Sequence, residues 1–235
     1  MRCIALARGR KGRCAVTQSR QLIEDAFAAS LQTDDLTDKQ RAVLTACLTL
    51  FSQKGFDATS TRDIAQLAHV SEGTVYKKYR SKQGLLDALL APLATVVVPR
   101  LAKKFMGEIA RNDSADFRAF LDFIVRDRMA FAISNRQLIR IMIGRVLNDS
   151  QMLTTVLGQF SDAITETIEP ILKRYQQSGQ LVDWPATTIM RTIASTVIGT
   201  TMPYILLDSA DLNIDSATVK VVDFLAKGLS PGESH

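Results

Sequence analysis

The sequence predicts an all-α protein in two parts, an N-terminal three-helix domain containing a helix-turn-helix and a larger C-terminal helical bundle, with nine helices in all. Three observations predict it. From Thr37 onward apolar residues recur at intervals of three and four, with no strand-like alternation to compete. Two helical phrases meet at the four-residue joint Ala68-His69-Val70-Ser71, the spacing of a helix-turn-helix. Positive charge gathers on the same stretch: residues 39–82 hold eight basic and three acidic groups, while those after 82 hold fifteen and sixteen.

Length and composition limit the alternatives. A chain of 235 residues with 46% hydrophobic and 23% charged residues can bury a substantial core and is not of disordered or fibrous type. The apolar stretch Cys3 to Ala7 is too short for a signal-peptide core, and no unbroken run of about 18 apolar residues occurs, so a cytoplasmic protein without membrane contact is expected. Three cysteines without C-x-x-C spacing and two histidines support neither a disulfide framework nor a zinc site, and no cofactor is expected. Cys47 falls among apolar helix positions and reads as a small core residue before a redox sensor.

Residues 1–36 form a basic arm and an acidic linker. Met1 to Arg20 carries six basic and no acidic groups, consistent with a flexible arm that is either a DNA contact or a solvated tail. Gln21 to Ser30 has the pattern of a short helix burying Leu22, Ile23, Ala26 and Phe27. The helix-turn-helix domain occupies residues 37–85. Thr37 with Gln40 makes a capping box, Val43, Leu44, Cys47, Leu48 and Phe51 share one face, and Gly55 stops the helix. Ser60 with Asp63 repeats the box ahead of Ile64, Ala65 and Ala68. The turn needs a residue tolerant of left-handed backbone, which His69 supplies in place of the usual glycine. Ser71 then caps a helix whose Val75 and Tyr79 face inward, leaving Gly73, Thr74, Lys77 and Lys78 outward with Tyr76 at the edge.

The run Phe51-x-x-x-Gly55-Phe56-x-x-Thr59-Ser60-x-Arg62-Asp63-Ile64-Ala65, followed by Val70-Ser71-x-Gly73-Thr74-Val75-Tyr76 and Ser81-Lys82, resembles the DNA-binding domain of the TetR family of transcriptional regulators. The likeness covers about fifty residues, from Lys39 to Leu90. It departs from the family pattern at His69 and at Lys77-Lys78, where a His-Tyr pair is common. The resemblance implies that Thr61, Arg62, Tyr76, Lys77, Lys78 and Lys82 hold phosphates, and that Ser71, Glu72, Gly73 and Thr74 stand nearest the base edges. Glu72 has two readings, as acceptor for a cytosine amino group or as partner for its own helix terminus.

Residues 86–228 form the body, and residues 229–235 a polar tail. Leu85, Leu86, Leu89 and Leu90 mark a fourth helix that Pro92 and Pro99 either kink or break. Further helices follow around Phe117 to Met129, Leu138 to Val146, Leu153 to Ile171, Ile189 to Leu207 and Val219 to Leu225. The resemblance implies a homodimer through the last two helices, for which Ala194, Ser195, Gly199 and Thr200 are small enough to allow close approach; packing inside the monomer is the alternative. Phe120, Phe123, Met142, Arg145, Tyr175, Trp184, Met190 and Met202 are candidates to line a pocket for a small apolar or amphipathic effector, although aromatic and methionine residues at helical spacing serve cores more often.

The leading expectation is therefore a homodimeric, sequence-specific regulator, a repressor released from operator DNA by a small molecule. Two alternatives remain: a helical DNA binder without effector control, and a carrier of lipophilic ligands with a vestigial DNA-binding module. No Ser-His-Asp, Cys-His, phosphate-loop or metal constellation points to an enzyme.

Overall fold

The structure, a computed structural model, describes residues 20–32, 35–112, 114–146, 154 and 164–232. The expectations for the arm before Arg20, for the start of the third body helix and for the last three residues lie outside that range. Every regular element among the described residues is a helix: α1 (20–30), α2 (Asp38–Lys54), α3 (Thr61–Leu67), α4 (Glu72–Tyr79), α5 (Lys82–Pro92), α6 (Val98–Ala110), α7 (Phe117–Ser134), α8 (Arg136–Val146), α9 (Glu169–Gln177), α10 (Ala186–Leu206) and α11 (Ile214–Leu229), with π-helical turns at Leu93–Val97 and Ile164–Ile168.

Ten α-helices thus follow Thr37 among the described residues, against the nine expected. The addition is α6. Of the two expectations for Pro92 and Pro99, a kink or a break, a continuous path holds: the helix runs from Lys82 to Ala110 because the intervening turn widens, with Val98 N–H bonding to the Leu93 carbonyl five residues back. Proline as the second residue after a π turn recurs at Ile164–Ile168, ahead of Pro170.

That 29-residue helical path contains no unbroken run of about 18 apolar residues, yet by length and composition alone it is long and apolar enough to cross a membrane. Asp87 interrupts the run in the sequence without making the helix polar. Leu85, Leu86, Leu89, Leu90, Leu93 and Val97 turn inward and are buried, which is the use of such residues in a core helix.

The described residues form two compact units. The first comprises those up to Leu101 together with Ser134 to Val146 and Thr154; the second comprises Ala102 to Ile133 and the residues from Ile164 onward. In the first unit, Ile23, Ala26, Phe27 and Leu31 of α1 are buried, and Arg41 of α2 donates to the Leu31 carbonyl at 3.4 Å. Both capping boxes form: the Gln40 and Thr37 backbone and side-chain groups exchange bonds, as do those of Asp63 and Ser60. Gly55 ends α2 at φ 80°, and a side chain there would meet the Gln137 carboxamide of α8 at 2.7 Å. Gly84 is required by close approach, because a Cβ would lie 2.2 Å from the Tyr79 carbonyl oxygen.

The second unit is built around Phe105, Phe120, Leu121, Ile124, Met129, Leu172, Tyr175, Ile189, Val222 and Leu225, all buried. Arg118 with Asp223 and Arg126 with Asp215 tie α7 to α11 at the surface. In α11 the buried positions are Thr218, Val221, Val222, Leu225 and Leu229, while Val219 and Phe224 point outward at 52% and 65% exposure.

Candidate nucleic-acid interface

The site is set by two short helices and a turn. Ser60 caps α3, Ser71 caps α4 by accepting from Thr74 N–H at 3.2 Å, and His69 takes the left-handed conformation at φ 54° that the joint requires. Ile64, Ala65, Ala68 and Val75 bury the inner sides of both helices. That anchoring leaves Arg62, Ser71, Glu72, Gly73, Tyr76, Lys77 and Lys78 exposed, with Thr61 and Thr74 half-buried. The outward set is rich in donors and positive charge, while the N-terminal end of α4, where unpaired amides point outward, stands open.

Three of these side chains bond to one another. The Thr61 hydroxyl donates to the Glu72 carboxylate at 2.7 Å, and Thr61 Oγ1 lies 3.1 Å from the Tyr76 hydroxyl. Lys82 is held at the turn after α2, its ammonium 4.3 Å from the centre of the Phe56 ring and 3.3 Å from the Asp57 carbonyl.

A surface concavity of about 300 Å³ lies beside α4, lined by Thr37, Lys39, Gln40, Val43, Thr74, Lys77, Lys78 and Tyr79. It adds Lys39 to the two lysines of α4, giving a basic patch that sequence reasoning missed; the only signal was the excess of positive charge over residues 39–82. Tyr79 points into the domain, where its hydroxyl is buried with no hydrogen-bond partner among the described residues. Burial, and then the neighbouring Cys47, push its pKa up to about 12. Burial raises the Cys47 thiol to about 12 as well, which argues for a packing role over a redox one.

The residues proposed for an effector pocket fall in different settings. Phe120, Tyr175 and Met190 are buried in the core of the second unit, where the Phe120 and Tyr175 rings lie 5.4 Å apart and the Tyr175 hydroxyl donates to the Ser114 carbonyl at 2.6 Å. Phe123 packs half-buried against that core, Met202 is half-buried on α10, and Trp184 is exposed ahead of α10. Met142 and Arg145 belong to the first unit, on α8, where the Arg145 guanidinium lies 3.6 Å from the Asp87 carboxylate.

Comparison with known proteins agrees with this geometry. Residues 43–89 match the family model described as bacterial regulatory proteins, tetR family. The HTH-type transcriptional regulator YvkB of Bacillus subtilis is 43% identical over 51 residues, 22% of this chain and 27% of YvkB, so the chain matches only about a quarter of that relative's length. The HTH-type regulator YvdT of the same organism is 22% identical over 194 residues, covering 81% of this chain and 95% of YvdT. Among solved structures, the transcriptional regulator FadR from Bacillus subtilis in complex with stearoyl-CoA shares the fold at a TM-score of 0.52 and 16% identity, covering 80% of this chain and 98% of that one.

Proposed function

We propose that this chain, whose residues 43–89 match the tetR family model, is a TetR-type regulator that acts as a homodimeric, sequence-specific transcriptional repressor that a small molecule releases from its operator. The observation that carries the reading is the exposed face of α3 and α4, where Arg62, Lys77 and Lys78 flank an open helix N-terminus on a turn fixed by His69. Lysine and arginine neutralise backbone phosphates, and the first turn of α4 is the part that can reach base edges in a major groove. On this reading the protein acts in the cytoplasm, and its role needs no catalysis.

Pairing of two copies is supported by α10 and α11. Ile198, Leu206, Val219 and Phe224 are each more than half exposed there, beside the exposed small residues Ala194, Ser195 and Gly199. A single reader of eight residues touches too few bases to select one site, whereas two related by a twofold axis read an inverted repeat. An effector of apolar or amphipathic character, for which the stearoyl-CoA complex of FadR is the precedent, would act by binding the DNA-free conformation more tightly. Selection from a random duplex library tests the proposal: enrichment of an inverted repeat supports it, and enrichment of no common sequence contradicts it.

A further inference from the structure

Glu72 is the one acidic residue on the exposed face of α4, a poor place for negative charge in a DNA reader. Its surroundings point to a different use. An ionised carboxylate only accepts hydrogen bonds, and the Thr61 hydroxyl has a single proton, which it gives to Glu72 at 2.7 Å. The 3.1 Å contact between Thr61 and Tyr76 must then run the other way, with the Tyr76 hydroxyl donating to Thr61 Oγ1. The chain of bonds is directional, Tyr76 to Thr61 to Glu72, and it ends on the carboxylate. It joins the first residue of α3 to the first turn of α4, across the outer side of the turn whose inner side is packed by Ile64, Ala65 and Val75.

We infer that Glu72 is a positioning residue, not a base reader: through Thr61 it locks the start of the recognition helix against α3 and orients the Tyr76 hydroxyl. While the chain is intact, the Thr61 and Tyr76 protons are committed inside the protein, so donation to DNA falls to Arg62, Lys77, Lys78 and the backbone amides of α4. Acceptance by Glu72, rather than its charge, is what the lock needs. This rests on the DNA-binding reading above and deepens it.

The test compares two neutral variants, which cancels the gain from deleting a negative charge beside phosphate. Glu72→Gln keeps an acceptor oxygen and Glu72→Ala removes it. Both are measured by fluorescence anisotropy on the duplex selected with the wild-type protein and on its single-base variants. The alanine variant is expected to bind about fivefold more weakly than the glutamine variant, the worth of one hydrogen bond, by the same factor on every duplex. In a Thr61→Val background the difference between them should vanish, because the lock acts through that hydroxyl. Equal binding by the two variants overturns the inference, as does a difference confined to one base pair or one that survives Thr61→Val. Failure of the wild-type protein to select any duplex would instead remove the DNA-binding reading itself, a separate outcome read before any variant is made.

Discussion

The Lys54 ammonium at the end of α2 lies 2.9 Å from the Asp63 carboxylate in the first turn of α3. That carboxylate also accepts from the Ser60 backbone N–H at 3.0 Å, closing the capping box of the helix that precedes the turn. The Ser60 N–H first, then Lys54, hold its pKa down at about 2. A depressed folded pKa gives stability that is present above the ordinary carboxyl value of 3.8 and lost as pH falls from there through about 2. The melting temperature of the wild-type protein should therefore fall more steeply across that acid window than that of Asp63→Asn. Parallel acid limbs for the two proteins would contradict this.

The buried Tyr79 hydroxyl predicts a gain from its removal. With no partner to lose, Tyr79→Phe should raise unfolding stability by up to about 1 kcal/mol, measured by urea denaturation, since a polar atom is no longer kept from water. A loss of stability would show that the hydroxyl is satisfied after all.

Lys78 is exposed on α4 and shares its concavity with Lys39 and Lys77. If it contacts phosphate, Lys78→Ala should weaken binding to all duplexes about equally and reduce the slope of log affinity against log salt by about 1 unit. A loss confined to one base position would make it a base reader.

Gly199 on α10 has open space where a side chain would begin, so a bulky residue there leaves the fold of the single chain intact. Gly199→Trp should accordingly retain its helical circular dichroism yet sediment as a monomer. A dimer that persists would place the interface elsewhere than on α10 and α11.

Features that depend on a few neighbouring residues were legible in the sequence. The boxes at Thr37 and Ser60 need only a spacing of three, and the left-handed joint needs only a tolerant residue at His69. What depends on distant residues was not. Lys39 lines the same concavity as Lys77 and Lys78, which are far from it in sequence, and nothing local marks Thr61 as the partner of Glu72. Whether α5 continues into α6 or stops was left open because the proline rule assumes ordinary α-helical spacing, which the π turn at Leu93–Val97 relaxes. The outward setting of Val219 and Phe224 was not legible, because α11 is apolar on more than one side and periodicity alone does not say which side meets its own core. The eight pocket candidates were chosen by residue type, and type does not separate a buried Tyr175 from an exposed Trp184.

The central claim is that the face carrying Arg62, Lys77 and Lys78 binds a specific duplex, and titration by fluorescence anisotropy tests it most directly. The affinity for the selected inverted repeat should exceed that for a scrambled duplex by about 10³-fold or more at physiological salt, and should fall steeply as salt rises. Equal affinity for both duplexes, or no salt-dependent binding to either, would contradict the account.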